Sequence, residues 1–145
     1  MSVVKHKIID EIGLIEISNP PVNAISAAVR IGLLETIEKL SSNEKVKSIV
    51  ITAPERTFLA GADIKEFGKK VDAPILGKIC DKIESLNKIV VASLHGTPLG
   101  GGLEVAMSAH FRIATPNTKV GLPEVLLGIL PGAGGTQRLP RLCGV

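Results

Sequence analysis

Two glutamates stand alone in apolar sequence, and such residues are candidates for acid/base chemistry. Glu104 lies among Leu, Val, Ala and Met residues, and Glu124 lies in the similarly apolar segment 120–127. Burying a carboxylate costs free energy unless it has partners or a task, and two carboxylates in one pocket can divide the roles of acid and base. The alternative is that each glutamate faces solvent or caps a local amide, which is the commoner situation for an isolated glutamate.

Three consecutive glycines, Gly100 to Gly102, directly precede Leu103 and Glu104. If this run opens a helix, free amides and the positive end of the helix converge there and suit an anion. A flexible connection with glycines for close packing explains the run equally well. A second glycine stretch at 132–135 also permits phosphate binding, although a loop that enters a helix explains it more simply. Neither stretch completes the G-x-G-x-x-G pattern of dinucleotide binding.

A third segment, residues 57–67, contains Asp63 and Glu66 at the spacing of a capping box. The small residues at 60–62 leave backbone amides accessible. Taken alone, the segment predicts a tight turn from a strand into a short helix and indicates no function.

Other kinds of site are not favoured by the residues present. His6, His95 and His110 lie in different predicted elements without i, i+4 spacing or cysteine partners, so no metal site is expected. Cys80 and Cys143 lack Cys-x-x-Cys spacing and lie in apolar sequence, which predicts two buried free thiols. A G-x-S-x-G elbow is absent, which argues against acyl transfer by a serine.

Composition is that of a globular protein, with 45% apolar and 21% charged residues. The formal charge is +3, the basic residues are scattered, and three Phe with no Trp or Tyr argue against a nucleic-acid partner. A mild positive charge suits a phosphorylated ligand. No apolar run reaches the ~18 residues of a membrane span, and no signal peptide is recognised. We therefore expect no membrane partner and a location in the bacterial cytoplasm, or in the peroxisome or mitochondrion of a eukaryote.

The elements expected to position the two glutamates alternate between strands and helices. Their pattern predicts an α/β fold with mostly parallel pairing. The continuous apolar run at 46–52 is typical of a strand covered on both faces. Ser26 is a plausible N-cap of the first helix. The predicted strands are 3–9, 12–18, 46–52, 89–94 and 111–114, and the predicted helices are 27–41, 75–86 and 103–109.

Three segments in order, AGADIKEF, HGTPLGGGLE and GLPEVLLGILPGAGGTQRLP, closely resemble the enoyl-CoA hydratase/isomerase (crotonase) family over almost the whole chain. The opening NPPVNAIS resembles the hydratase/isomerase part of multifunctional β-oxidation enzymes that also carry a 3-hydroxyacyl-CoA dehydrogenase. The resemblance implies a spiral of ββα repeats whose mostly parallel sheets bind a CoA thioester. Residues 1–145 are then one crotonase-like domain, truncated at its C-terminal side.

The resemblance also implies a role for each site residue. The backbone N–H groups of Ala62 and Gly101 form an oxyanion hole, which suits a reaction that moves charge onto a thioester oxygen. Glu104 activates the attacking water, and Glu124 exchanges the proton at Cα. Arg56 departs from the family pattern, in which this position is often lysine. The residues implied to contact CoA are Ala60, Ala62, Asp63 and Ile64, with Arg56 and Lys65 near the phosphates.

A 2-enoyl-CoA hydratase of fatty-acid β-oxidation is the favoured function, with acyl-CoA as substrate and no separate cofactor, because CoA is part of the substrate. Family members that only shift a double bond commonly retain just the second carboxylate. The presence of both carboxylates here therefore favours hydration, but a Δ3,Δ2-enoyl-CoA isomerase activity at the same site stays open. A non-catalytic CoA-binding or assembly module is a third hypothesis, but a pure binder gains nothing from two partly desolvated carboxylates. A homotrimer, a hexamer and a fusion to a dehydrogenase all stay open.

Overall fold

Alternating apolar residues build a hairpin at the start of the chain. Strands β1 (Val4–Ile9) and β2 (Ile12–Ile17) pair antiparallel, with Ile9 opposite Ile12. The tight turn between them places Asp10 at a φ of 54°. This computed structural model, which describes residues 2–144, confirms the predicted hairpin.

Three further strands extend the hairpin into one five-stranded sheet of order β1-β2-β3-β4-β5. They are β3 (Ser48–Thr52), β4 (Ile89–Leu94) and β5 (Phe111–Ala114). Every pairing after the first is parallel. The predicted α/β class with mostly parallel strands is therefore confirmed.

The expectation that the strand at 46–52 is covered on both faces is wrong for the part of the chain described. Side chains alternate across a strand, and Ile49 and Ile51 are fully buried, whereas Val50 on the opposite face is only half-buried. The apolar run looks continuous because it includes Val46, which is buried but lies before the strand begins.

The helices are α1 (Ala27–Ser42), α2 (Leu76–Glu84), α3 (Gly101–Ser108) and α4 (Gly135–Cys143). The first of these four helices packs on β1 and β2, and the other three continue from it, α1 against α2, α2 against α3 and α3 against α4. The first helix starts after Ser26, whose Oγ accepts a hydrogen bond from Val29 N at 3.4 Å, as its N-cap position predicts. Its apolar stripe lies in the main core together with residues of β3 and β4.

The predicted capping box at Asp63 and Glu66 is wrong, although Asp63 does cap. Asp63 Oδ1 accepts a hydrogen bond from Lys65 N at 3.0 Å at the start of a short 3-10 turn. Glu66 does not reach back to Asp63 N, because that amide donates to Ile25 O at 3.4 Å. Instead, Glu66 Oε1 accepts from Ala27 N at 2.7 Å in the first turn of α1. The segment after β3 is thereby tied to a helix far away in sequence.

We expect Glu66→Ala to lower the free energy of unfolding by about 1 kcal/mol, the usual effect of losing a helix-capping side chain. The change also removes the ion pair between Glu66 Oε2 and Arg30 Nη1, which are 3.0 Å apart. Urea unfolding of the purified full chain measures the difference. Glu35→Ala removes an exposed carboxylate from α1 and is the matched control. Equal stability of the two variants would contradict the capping role.

Candidate active site

A cavity of ≈ 380 Å³ lies where the segment after β3, the start of α3 and the chain before α4 meet. Its size is that of a small-molecule site. Of the described residues that line it, Glu104 and Glu124 are the only ones with ionisable side chains. The two glutamates singled out by the sequence therefore lie in the same cavity. Its larger apolar side chains are Ile64, Phe67, Ile75, Leu76, Leu99, Leu127, Ile129 and Leu130.

Glu104 is buried in the first turn of α3, with only 3% of its surface exposed. Its Oε1 accepts two backbone hydrogen bonds, from Ala133 N at 2.7 Å and from Gly135 N at 2.8 Å. These amides belong to the glycine loop, residues 132–135, which leads into α4. Hydrogen bonds to an ionised acceptor are short and strong, so one carboxylate oxygen is fixed while the group still lines the cavity.

This contact decides between the two interpretations of the glycine loop. Two of its amides already bind a carboxylate of the same chain, so they are not free to bind a phosphate. The simpler prediction, a loop that enters a helix, is confirmed because α4 begins at Gly135.

Glu124 is buried in a different way. It begins a short 3-10 turn, is 8% exposed, and its Oε2 has no hydrogen-bond partner among residues 2–144. Gly100 approaches it so closely that a Cβ there would lie 3.0 Å from Glu124 Oε1. A buried acceptor without a partner is costly, so a molecule entering the cavity meets an oxygen that is free to bond. Neither glutamate faces solvent.

The backbone at Ala62 and Gly101 comes together at the cavity, as the family resemblance implies. A Cβ built on Gly101 would lie 3.7 Å from Ala62 N. Gly101 is the first residue of α3, where an N–H group has no partner inside the helix. Ala62 is held by a parallel bridge to Ile25 that uses the neighbouring groups, Gly61 O and Asp63 N, rather than its own N–H.

Within the run of three glycines, the positive φ lies at Gly100, with a value of 50°. Gly101 already has the helical conformation of α3, so the preceding residue makes the turn. Close approach of a ligand to Gly101 stays a prediction, and within the protein a Cβ on Gly101 would lie 2.8 Å from Leu76 Cδ2.

The residues implied to contact CoA are only partly gathered at this cavity. Ala60, Ala62 and Ile64 line it. Asp63 lines an adjoining depression of ≈ 290 Å³. Arg56 and Lys65 are exposed and line neither space. Contact between these residues and CoA therefore stays a prediction.

Sequence reasoning missed the partners of Glu104. A buried carboxylate requires donors, and a glycine-rich stretch supplies accessible amides, so the two signals were both present. Their pairing across 31 residues could not be read from either segment alone. Arg138, which is 9% exposed and contacts the same loop, was missed as well.

The prediction of two buried thiols is right for one cysteine and wrong for the other. Cys80 is buried as expected, and burial raises the pKa of its thiol to about 12, so it is neutral near pH 7. Cys143 is exposed, which corrects the prediction for that residue, because it ends α4 at the surface.

Within the described residues no cluster of three or more His, Cys, Asp or Glu side chains could hold a metal ion. Among the helices of residues 2–144, none combines the length and the apolar composition that a membrane-spanning segment requires.

Known proteins resemble this chain along most of its length. The sequence profile of the enoyl-CoA hydratase/isomerase family matches residues 7–145. A peroxisomal bifunctional enzyme of Danio rerio is 50% identical over 134 residues, which are 92% of this chain and 19% of that protein. A probable enoyl-CoA hydratase of Bacillus subtilis (strain 168) is 41% identical over 151 aligned residues, covering 99% of this chain and 58% of that protein.

A solved structure resembles the fold. The crystal structure of an enoyl-CoA hydratase subunit I from Geobacillus kaustophilus HTA426 superposes with a TM-score of 0.89 at 37% identity, covering 99% of this chain and 58% of that one. The expected crotonase-type fold is confirmed for its N-terminal part. The chain spans 58% of the bacterial relative and 19% of the bifunctional one.

Proposed function

Because the chain belongs to the enoyl-CoA hydratase/isomerase family, we propose that it catalyses the reversible addition of water to a trans-2-enoyl-CoA in fatty-acid β-oxidation. One observation supports this reaction above others. Two buried carboxylates with different hydrogen bonding, Glu104 and Glu124, line one mostly apolar cavity. One is held by the protein and the other has a free oxygen, as expected for groups that act on opposite steps of a proton exchange.

Glu104 is assigned to the attacking water. Because Ala133 N and Gly135 N hold Oε1, the direction of the carboxylate is set before substrate arrives, which lowers the barrier by orientation. It removes a proton from water while the water oxygen bonds to C3 of the enoyl group. The electrons of the C2=C3 bond move onto the thioester oxygen.

Glu124 is assigned to C2, the carbon next to the thioester carbonyl. Its unpartnered Oε2 can exchange a proton with that carbon without breaking an internal hydrogen bond within the described residues. In hydration Glu124 starts with a proton and gives it to C2, while Glu104 takes one from water, so the pair keeps its total charge and is reset by proton exchange with water.

The N–H groups of Ala62 and Gly101 are assigned to the thioester oxygen, where negative charge develops. Both residues line the cavity, and Gly101 begins α3, whose dipole is positive at that end. Fixed amides of this kind stabilise an enolate with little reorganisation, and the loss of one donor typically lowers the rate roughly 10²–10³-fold.

The CoA part of the substrate is proposed to lie along Ala60, Ala62, Asp63 and Ile64, with Arg56 and Lys65 toward the phosphates. Cations exposed outside the apolar cavity suit a polyanionic end that stays near solvent. A cytoplasmic, peroxisomal or mitochondrial location, assembly as a homotrimer or hexamer, and fusion to a dehydrogenase remain predictions of the same proposal.

An isomerase activity at the same site is the second candidate, favoured by the free Oε2 of Glu124. Moving a double bond from C3 to C2 needs one group that takes a proton from C2 and returns one to C4. Glu124 alone meets that requirement, whereas hydration also needs a group that activates water.

Glu104→Ala separates the two reactions. We expect hydration of a 2-enoyl-CoA to fall roughly 10²–10⁴-fold, the usual contribution of one general acid or base, while any isomerisation of a 3-enoyl-CoA persists. Glu104→Gln, which keeps an oxygen for Ala133 N and Gly135 N, shows whether loop displacement contributes. Loss of every activity would favour a hydratase-only site. Parent hydration rates in both variants would remove Glu104 from the mechanism.

A further inference from the structure

We propose that Arg138, given the hydratase function proposed above, is a positioning residue that fixes Glu104 through the glycine loop. Arg138 does not line the cavity. Its action on the reaction is therefore indirect and passes through the backbone amides that hold the Glu104 carboxylate.

The glycine loop needs support from outside itself. Residues 132, 134 and 135 are glycines, which restrict the backbone least. The direction of Ala133 N and Gly135 N nevertheless determines where Glu104 Oε1 lies. A loop of this composition that holds a reacting group at 2.7–2.8 Å must be fixed by neighbouring contacts.

Arg138 supplies those contacts from the first turn of α4. Its Nη1 donates to Ala133 O at 2.8 Å, so Ala133 is held by Arg138 at its carbonyl and by Glu104 at its amide. The approach is close enough that a Cβ on Gly134, which has a φ of +94°, would collide with Arg138 Nη1. Position 134 therefore requires glycine, because a side chain there would occupy the space of the guanidinium.

The second terminal nitrogen of the guanidinium, Nη2, attaches the loop to α2. Arg138 Nη2 donates to Asp81 Oδ1 at 2.9 Å and to Glu84 Oε2 at 2.7 Å. The hydrogen bond with Glu84 raises the pKa of Arg138 above its ordinary value. The helix that Arg138 reaches also supplies Leu76 and Gly77 to the cavity wall. A single side chain thus joins the glycine loop to α2.

The geometry of this contact favours positioning over simple stabilisation. Asp81 and Glu84 expose 74% and 58% of their side chains, and ion pairs with exposed partners contribute little to stability. The planar fork of arginine is what allows one group to bond a backbone carbonyl and two carboxylates at once. A lysine at 138 keeps the charge but loses that fork.

Steady-state kinetics of the purified full chain test the proposal. We expect Arg138→Gln and Arg138→Lys to lower kcat for hydration by up to ~10²-fold, the effect of a misplacement of about 1 Å, with KM unchanged. Glu84→Gln, a change at an exposed side chain, should give a smaller loss in the same direction. Arg141→Gln, which removes the same charge from an exposed position of α4, is the matched control and should have no effect.

A double variant distinguishes positioning from a general loss of structure. If Arg138 acts through Glu104, then Arg138→Gln should cause no further loss of kcat in the Glu104→Gln background. A loss that multiplies with that of Glu104→Gln, or full activity in Arg138→Lys, would overturn the proposal.

The amide resonances of Ala133 and Gly135 give a readout independent of any activity. We expect both to shift, and to exchange with solvent faster, in Arg138→Gln and Glu84→Gln but not in Arg141→Gln. If the protein fails to hydrate any 2-enoyl-CoA, the proposed function is wrong, but this measurement still shows whether Arg138 fixes the glycine loop. Unchanged Ala133 and Gly135 amides in Arg138→Gln would refute the positioning role whatever the activity.

Discussion

Glu124→Gln is expected to lower the hydration of a 2-enoyl-CoA roughly 10²–10⁴-fold, as the loss of one general acid or base does, while the affinity for CoA thioesters stays the same. Glutamine has nearly the shape of glutamate but cannot exchange a proton near neutral pH. Because Glu124 Oε2 has no partner in the described chain, the change breaks no hydrogen bond of that oxygen. The loss of enoyl-thioester absorbance measures kcat, and calorimetry with a saturated acyl-CoA measures the dissociation constant.

Glu35→Gln is the control for this variant, because Glu35 is an exposed glutamate on α1, outside the residues that line the cavity. It should hydrate at the parent rate. Unchanged turnover in Glu124→Gln would remove the residue from the mechanism and would refute the proposal that its free oxygen exchanges a proton with C2.

Gly101→Val should abolish detectable turnover and weaken acyl-CoA binding. A Cβ at Gly101 would lie 2.8 Å from Leu76 Cδ2 and 3.7 Å from Ala62 N. The branched side chain of valine must therefore push Leu76, which lines the cavity, or move one of the two amides. Displacement of even one donor costs roughly 10²–10³-fold in rate, and obstruction of the cavity adds to that loss.

Lys39→Arg, a conservative change in the last turn of α1, should have no measurable effect on either quantity. Circular dichroism and a thermal melt establish that Gly101→Val is folded before it is assayed. A folded Gly101→Val that hydrates crotonyl-CoA at the parent rate would reduce the glycine run to a packing device, and the oxyanion-hole assignment would be withdrawn.

The secondary structure was largely predictable because its signals are local. The β4 strand coincides with its predicted range of 89–94 and β5 with 111–114. Ser26 caps α1 as expected, since its side chain bonds an amide three residues away. Composition and periodicity predicted an α/β domain with two unusual glutamates, and the order of three motifs added the family.

The contacts that define the site were less predictable because they join distant segments. Glu66 bonds Ala27 N across 39 residues rather than its own turn. Nothing in three identical glycines shows that Gly100 rather than Gly101 takes the positive φ, because the start of the helix decides it. The same holds for Arg138, whose partners lie on α2 and in the glycine loop.

Product analysis after reaction in deuterated, heavy-oxygen water is the most direct test that the two buried glutamates perform hydration. We expect the unmodified full chain to convert a 2-enoyl-CoA into a 3-hydroxyacyl-CoA with heavy oxygen at C3 and one deuterium at C2. Glu104→Gln and Glu124→Gln should form this product far more slowly, although both still bind a saturated acyl-CoA. Formation of the doubly labelled product at the parent rate by either variant, or no product from the unmodified chain, would contradict the assignment of the two glutamates to hydration.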